Sequence, residues 1–207
     1  MCLLDTIPKT VLAFGAKQGV DILMVGEGPG LVEDLEGFPF IGPAGKLLRQ
    51  AIEDAQPFCT FCDGSGADNG FPIGTQACQF CKGYGRLTIG LTNLIACRPY
   101  QGKPSSSANK PPSVSEVINC FPRLRSMIKV LKPTIVVCVG KEAELYLKDT
   151  IVPFDYGVSQ EKLYTIIHPS YVLRNGGIGS HTYNLYVPRL QLIYKRFWEL
   201  RRKEVKW

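Results

Sequence analysis

Residues Val25 to Leu48, VGEGPGLVEDLEGFPFIGPAGKLL, decide how the rest of the chain is read. Just upstream, Ile22-Leu23-Met24-Val25 is an uncharged apolar run with the length and character of a buried parallel strand. The run breaks at Gly26-Glu27-Gly28-Pro29-Gly30, a turn that opens the backbone to close approach. Acids follow at Glu33 and Asp34, then Gly37-Phe38-Pro39-Phe40. Beyond Gly42-Pro43-Ala44-Gly45, the spacing of Leu47, Leu48, Ala51 and Ile52 predicts a helix from Pro43 to about Ala55. Open α/β sheets bind their ligands at such glycine-rich turns, at the carboxyl ends of strands.

The turn is not a phosphate loop. GEGPG departs from G-x-G-x-x-G, no G-K-[ST] follows at P-loop spacing, and its acids repel phosphate. Carboxylates, backbone amides and an aromatic face suit a flat, hydrogen-bonding ligand that develops positive charge. A nucleobase leaving its sugar fits that description.

The 207 residues leave room for one α/β domain and a small insertion. No apolar run approaches the ~18 residues of a membrane span, so no membrane partner is expected. MCLLDTIPKT lacks the regions of a signal peptide, and a reducing cytosol is the expected compartment. The net charge of +6 leans toward polyanionic partners. Eight cysteines in such a chain point to metal sites rather than disulfides.

From residue 57 to 88 the character changes sharply. Cys59-x2-Cys62 and Cys78-x2-Cys81 stand fifteen residues apart, within the spacing of four-cysteine zinc sites. CDGSG and CKGYG resemble the zinc knuckles of DnaJ-type chaperones, whose glycines let backbone amides turn toward sulfur. A structural Zn2+ held by Cys59, Cys62, Cys78 and Cys81 is expected. The resemblance covers only the insertion and implies no chaperone function.

Around the insertion, residues Met1 to Gly19 read as an irregular or weakly helical lead-in. A second strand, Ile89 to Thr92, runs into Asn93-Leu94-Ile95-Ala96-Cys97-Arg98-Pro99. Tyr100 to Ser113 is a Pro/Ser/Lys-rich loop of a length that is usually functional or mobile. Ser113 or Ser115 can cap a helix with Val117, Ile118, Phe121, Leu124 and Ile128 as apolar positions. A strand from Thr134 to Gly140 follows, with Cys138 as a core residue, and then a short helix from Lys141 to Leu147. The last strand, Leu163 to Ile167, ends in His168-Pro169-Ser170-Tyr171-Val172-Leu173-Arg174-Asn175. A terminal helix from about Leu185 carries Leu190, Ile193, Tyr194, Phe197 and Leu200 on one side. Its other side, with Lys195, Arg196, Arg201, Arg202 and Lys203, reads as a solvated face, with DNA-phosphate contact as the other reading.

Four apolar strands, each ending in a polar motif, predict a three-layer α/β/α sandwich on a central four-stranded parallel sheet. One domain spans residues 1–207, interrupted by the small zinc-binding insertion of four cysteines at 57–88. The strand-end features GEGPG, TNLIACRP, Gly140 and HPSYVLRN should meet in one crevice.

Together with EDLEGFPFIGPAGKLL, these motifs resemble the uracil-DNA glycosylase superfamily, most closely its iron–sulfur-containing family 4 branch. The resemblance implies base excision repair: uracil is flipped out of DNA and its N-glycosidic bond hydrolysed, leaving an abasic site. It implies that Phe40 stacks on uracil, Asn93 reads the Watson–Crick edge, and His168 stabilises charge at O2, assisted by amides around Gly28. Glu27 and Glu33 are the candidates for steadying the oxocarbenium sugar and orienting water, and which matters more stays open. Asp34 reads as a turn or capping acid. Leu173 and Arg174 match the wedge that enters the DNA minor groove, with core packing as the alternative for Leu173.

The resemblance also implies a [4Fe–4S] cluster. Cys97 and Cys120 match two family ligands, and Cys2 stands where the second cysteine of an N-terminal pair belongs. The pair's first cysteine would lie upstream of Met1, which leaves a longer chain, a three-thiolate cluster or a borrowed cysteine as readings. A competing scheme joins Cys59 and Cys62 to Cys97 and Cys120. The implied partner is uracil-containing DNA, acted on by a monomer. The alternative function is a glycosylase-like DNA-binding protein without activity, whose insertion contacts nucleic acid or a protein. A zinc deaminase is disfavoured, since no H-x-E…P-C-x-x-C arrangement exists.

Overall fold

The computed structural model describes residues 13–14, 19–67, 77–100, 102–103, 108–148 and 159–204. Its centre is the predicted parallel sheet. Strands β2 (Ile22–Gly26), β3 (Ile89–Asn93), β4 (Ile135–Val139) and β5 (Leu163–Ile166) pair in parallel in the order β3-β2-β4-β5. One element is added at the edge: β1 (Ala13–Phe14) pairs antiparallel with β3, inside the stretch read as an irregular lead-in.

The apolar runs of β2 and β4 are buried on both faces, which is why neither shows alternation. Ile22 and Met24 face a core with Leu48, Ala51, Leu190 and Phe197, while Leu23 and Val25 face a second core with Leu124 and Ile128. The first core is covered by α2 (Pro43–Asp54) and α6 (His181–Glu204), the second by α3 (Val114–Leu131) and α4 (Lys141–Leu147). Proline at the start of α2 presets its first turn. Ser113 and Glu116 close a capping box at the start of α3. Two short helices at strand ends were not legible as helices: α1 (Leu31–Glu36) and α5 (Pro169–Arg174). The terminal helix begins one turn earlier than its apolar spacing suggested. Cys138 lies fully buried in β4.

Between α2 and β3 the chain leaves the sheet through a neck where Phe58 bridges Arg86 and Leu87 N–H donates to the Pro57 carbonyl at 2.7 Å. Among the described residues, no helix is long and apolar enough to cross a membrane.

Candidate functional site

A cleft of about 1070 Å³ opens at the carboxyl edge of the sheet. Register builds its first wall. Pairing of β2 with β3 sets Gly26 beside Asn93, and the space a Cβ on Gly26 would fill is taken by Asn93 Oδ1 and Phe40 Cζ, 2.5 and 2.6 Å from that point. Ring and amide therefore share one surface, and both residues are buried. Phe40 is held in a left-handed turn (φ 56°) that packs onto α2, where a Cβ on Gly45 would lie 2.0 Å from the Phe40 carbonyl. Arg49 of α2 donates to the same carbonyl at 3.1 Å. From α3, Arg123 donates to the Asn93 carbonyl, to the Leu94 carbonyl at 3.1 Å and to Thr92 Oγ1 at 3.2 Å, fixing the end of β3.

His168 stands across the sheet edge, after β5, where it caps α5. Its Nδ1 accepts the Ser170 N–H at 3.2 Å and lies 2.7 Å from Ser170 Oγ. An accepting Nδ1 leaves the ring proton on Nε2. Burial, and then the positive charge of Arg174, push the His168 pKa down to about 4. At neutral pH this is an uncharged imidazole with one N–H to give.

The carboxylates separate by environment. Glu33 is buried on α1, and its Oε1 accepts the Gly42 N–H at 2.8 Å. Glu27 lines the cleft, and burial followed by the charge of Glu142 raises its pKa to about 7. Glu142, in the first turn of α4, also lines the cleft and carried no sequence signal. Asp34 falls in the first turn of α1, where an acid is favoured by the helix dipole. Gly28 and Arg174 line the cleft as well. Leu173 is 37% exposed, which removes core packing as its reading.

The insertion brings Cys59, Cys62, Cys78 and Cys81 together, all buried, with their sulfurs within 4.8 Å of one another. The separations Cys59–Cys78 and Cys62–Cys81 are 3.9 and 3.7 Å. Tetrahedral Zn–S bonds of about 2.3 Å require S···S edges of about 3.8 Å. The two knuckles repeat each other: Gly66 and Gly85 N–H donate to Cys62 and Cys81 sulfur at 3.3 and 3.2 Å. The structure thus groups Cys59 and Cys62 with Cys78 and Cys81 rather than with Cys97 and Cys120. Those two cysteines both act electrostatically on Arg123 and so share one neighbourhood. Cys2 lies outside the described residues.

A family model described as the uracil DNA glycosylase superfamily matches residues 12–191. A type-4 uracil-DNA glycosylase of Saccharolobus solfataricus is 29% identical over 146 residues, 70% of this chain and 52% of that protein. The Sulfurisphaera tokodaii protein of the same name is 32% identical, covering 61% of this chain and 43% of its own length. For that of Thermotoga maritima the values are 29%, 74% and 67%. The chain spans about half the length of the first two relatives it matches.

Proposed function

Because the chain belongs to the uracil DNA glycosylase superfamily, we propose that it hydrolyses the N-glycosidic bond of uracil in DNA and leaves an abasic site. The observation that carries this reading is the shared wall of Phe40 and Asn93 in one cleft with an uncharged His168. The Phe40 ring stacks on the flipped base. The Asn93 amide donates to O4 and accepts from N3–H. Cytosine presents the reverse pattern and leaves both amide atoms mismatched.

As the C1′–N1 bond breaks, its electron pair moves into the base and negative charge collects at O2. His168 Nε2–H donates to that oxygen, and a neutral donor avoids placing a cation that would have to be desolvated beforehand. Amides around Gly28 face the same charge. The sugar becomes an oxocarbenium ion beside Glu27, whose carboxylate steadies it and accepts the proton of the water that attacks C1′. A pKa near 7 suits a base working at neutral pH. Glu33 acts through the loop it braces. Arg174 and the exposed Leu173 meet the duplex, Leu173 filling the vacated stack.

The insertion at residues 57–88, within a single domain over 1–207, holds a structural Zn2+ through its four cysteines. Cys97 and Cys120, with Cys2, are the donors for a [4Fe–4S] cluster, and Cys97 and Cys120 share one neighbourhood around the Arg123 guanidinium. Held there, such a cluster would tether the segment after β3 to α3. The protein works as a monomer in a reducing cytosol.

The test is excision from labelled oligonucleotides, single-stranded and paired with guanine, read by alkaline strand cleavage. Wild type should cleave, and His168→Ala and Asn93→Ala should each lose about 100-fold or more. No cleavage by wild type with its metals intact sinks the reading.

A further inference from the structure

The basic side of α6 is not a plain solvated face. Arg202 lies over the Phe61 ring at 5.1 Å, and Arg201 Nε donates to the Phe80 carbonyl at 3.3 Å, so the helix end is folded against the insertion. Between them lies a groove of about 510 Å³, walled by Phe58, Phe61, Tyr194 and Trp198. Ala55 at the end of α2 also lines it, whereas Ala44 and Gly45 at the start of α2 line the catalytic cleft. A twelve-residue helix is about 18 Å long, so the two sites are separate.

We infer that this groove is a second, non-catalytic contact for single-stranded DNA flanking the uracil, an inference that rests on the glycosylase reading. The lining is aromatic, which favours planar ligands over the aliphatic anchors of a peptide. Phe58 is 48% exposed, which leaves ring surface open to a flat group, with the Arg86 guanidinium 5.9 Å from its centroid. Lys195, Arg202 and Lys203 line the same groove, and among the described residues none of them is paired with a carboxylate. Arg196 is paired with Glu199 at 3.0 Å. Phe61 is stacked on Phe80 at 3.7 Å and covered by Arg202, so the exposed ring of Phe58 beside Lys195 and Lys203 is the stacking surface. An exposed aromatic next to cations is what a sequence-tolerant strand site requires. Bases stack on Phe58 while phosphates pass Lys195 and Lys203.

The experiment uses the full chain with its metals. Affinity for uracil-free single strands of roughly four and roughly 16 nucleotides is measured by fluorescence anisotropy across salt concentrations, beside uracil excision from strands of both lengths. Phe58→Ala should weaken binding of the long strand about 5- to 150-fold and leave excision from the short strand unchanged. The double variant Lys195→Ala/Lys203→Ala, both at exposed positions, should lower the salt slope by about 0.7 for each phosphate contact removed. Zinc content equal to wild type shows that the variants are folded. Long-strand binding unchanged in both variants overturns the inference. So does a polyglutamate peptide that binds wild type as tightly as the long strand and depends on Phe58, which makes the occupant an acidic protein. Failure of wild type to excise uracil at either length defeats the glycosylase reading instead and leaves the binding result legible.

Discussion

The main-chain N–H of Gly42 donates to Glu33 Oε1 at 2.8 Å, tying the turn before α2 to the helix that follows the GEGPG turn. The same carboxylate crowds Gly30, where a Cβ would lie 2.7 Å from Oε2. Glu33 is therefore occupied as a brace, which separates it from Glu27. Glu33→Ala leaves a buried N–H without its partner and should cost about 1–3 kcal/mol in urea unfolding. Glu33→Gln keeps an acceptor and should retain most of that stability. Glu27→Gln should melt like wild type yet lose about 100-fold or more in single-turnover excision. Wild-type stability of Glu33→Ala together with the rate loss expected of Glu27→Gln would exchange the two roles.

The pH profile should report Glu27. Burial, and then the charge of Glu142, place its pKa at about 7, while His168 sits at about 4. The carboxylate is the active form, so log kcat/KM should rise below pH 7 and level off above it. His168 stays uncharged through that range and adds no second arm near neutrality. Glu142→Gln removes a like charge and should move the rising arm to lower pH. A profile flat through pH 7 would exclude Glu27 as the base. Stability follows a separate rule: an unfolded histidine takes up its proton near 6.5 and the folded one near 4, so His168 weakens the fold as pH falls between those values.

The four strands and three of their end motifs were legible because buried parallel strands leave uninterrupted apolar runs, and polar motifs break them at one end. The four insertion cysteines were legible through their spacing and the glycines that follow each pair. Arg123 was not, since the residue it holds, Asn93, lies thirty positions earlier and no local pattern joins an α3 arginine to a strand end. Glu142 was hidden in the same way: it matters only because Gly140 turns α4 toward the cleft. Helix α1 escaped because six residues bounded by glycines leave too little periodicity to read. The distinction between Glu27 and Glu33 required the Gly42 amide, a contact made by folding.

Metal removal should act on one end of the molecule. Zinc analysis should find one ion for the four sulfurs, and Cys59→Ser or chelation should release it. Loss of a structural metal is expected to cost about 4 kcal/mol, or roughly 8–16 °C in Tm for a chain of this size. The insertion packs on α6 through the Phe61–Trp198 contact at 5.9 Å, so protease cleavage should begin within residues 57–88 and near the end of α6. Excision from a short strand should survive at temperatures below the lowered Tm, because the cleft lies at the other end of α2. Iron at these four cysteines in place of zinc would overturn the assignment.

Gly26→Ala separates base recognition from folding. The glycine has an ordinary strand backbone, so alanine adds no conformational strain there. The added methyl meets Asn93 Oδ1 at 2.5 Å and Phe40 Cζ at 2.6 Å, both below contact distance, and each must move. A displacement approaching 1 Å in a positioning group costs on the order of 100-fold in rate. The variant should therefore still fold, at a cost of about 1–3 kcal/mol from overpacking, and lose about that factor in kcat/KM for uracil. Discrimination against cytosine should fall with it, since the amide that rejects cytosine is the atom displaced. Binding of uracil-free single strands, which does not use this wall, should stay unchanged. Wild-type excision by Gly26→Ala would mean that the ring and the amide do not hold the base together.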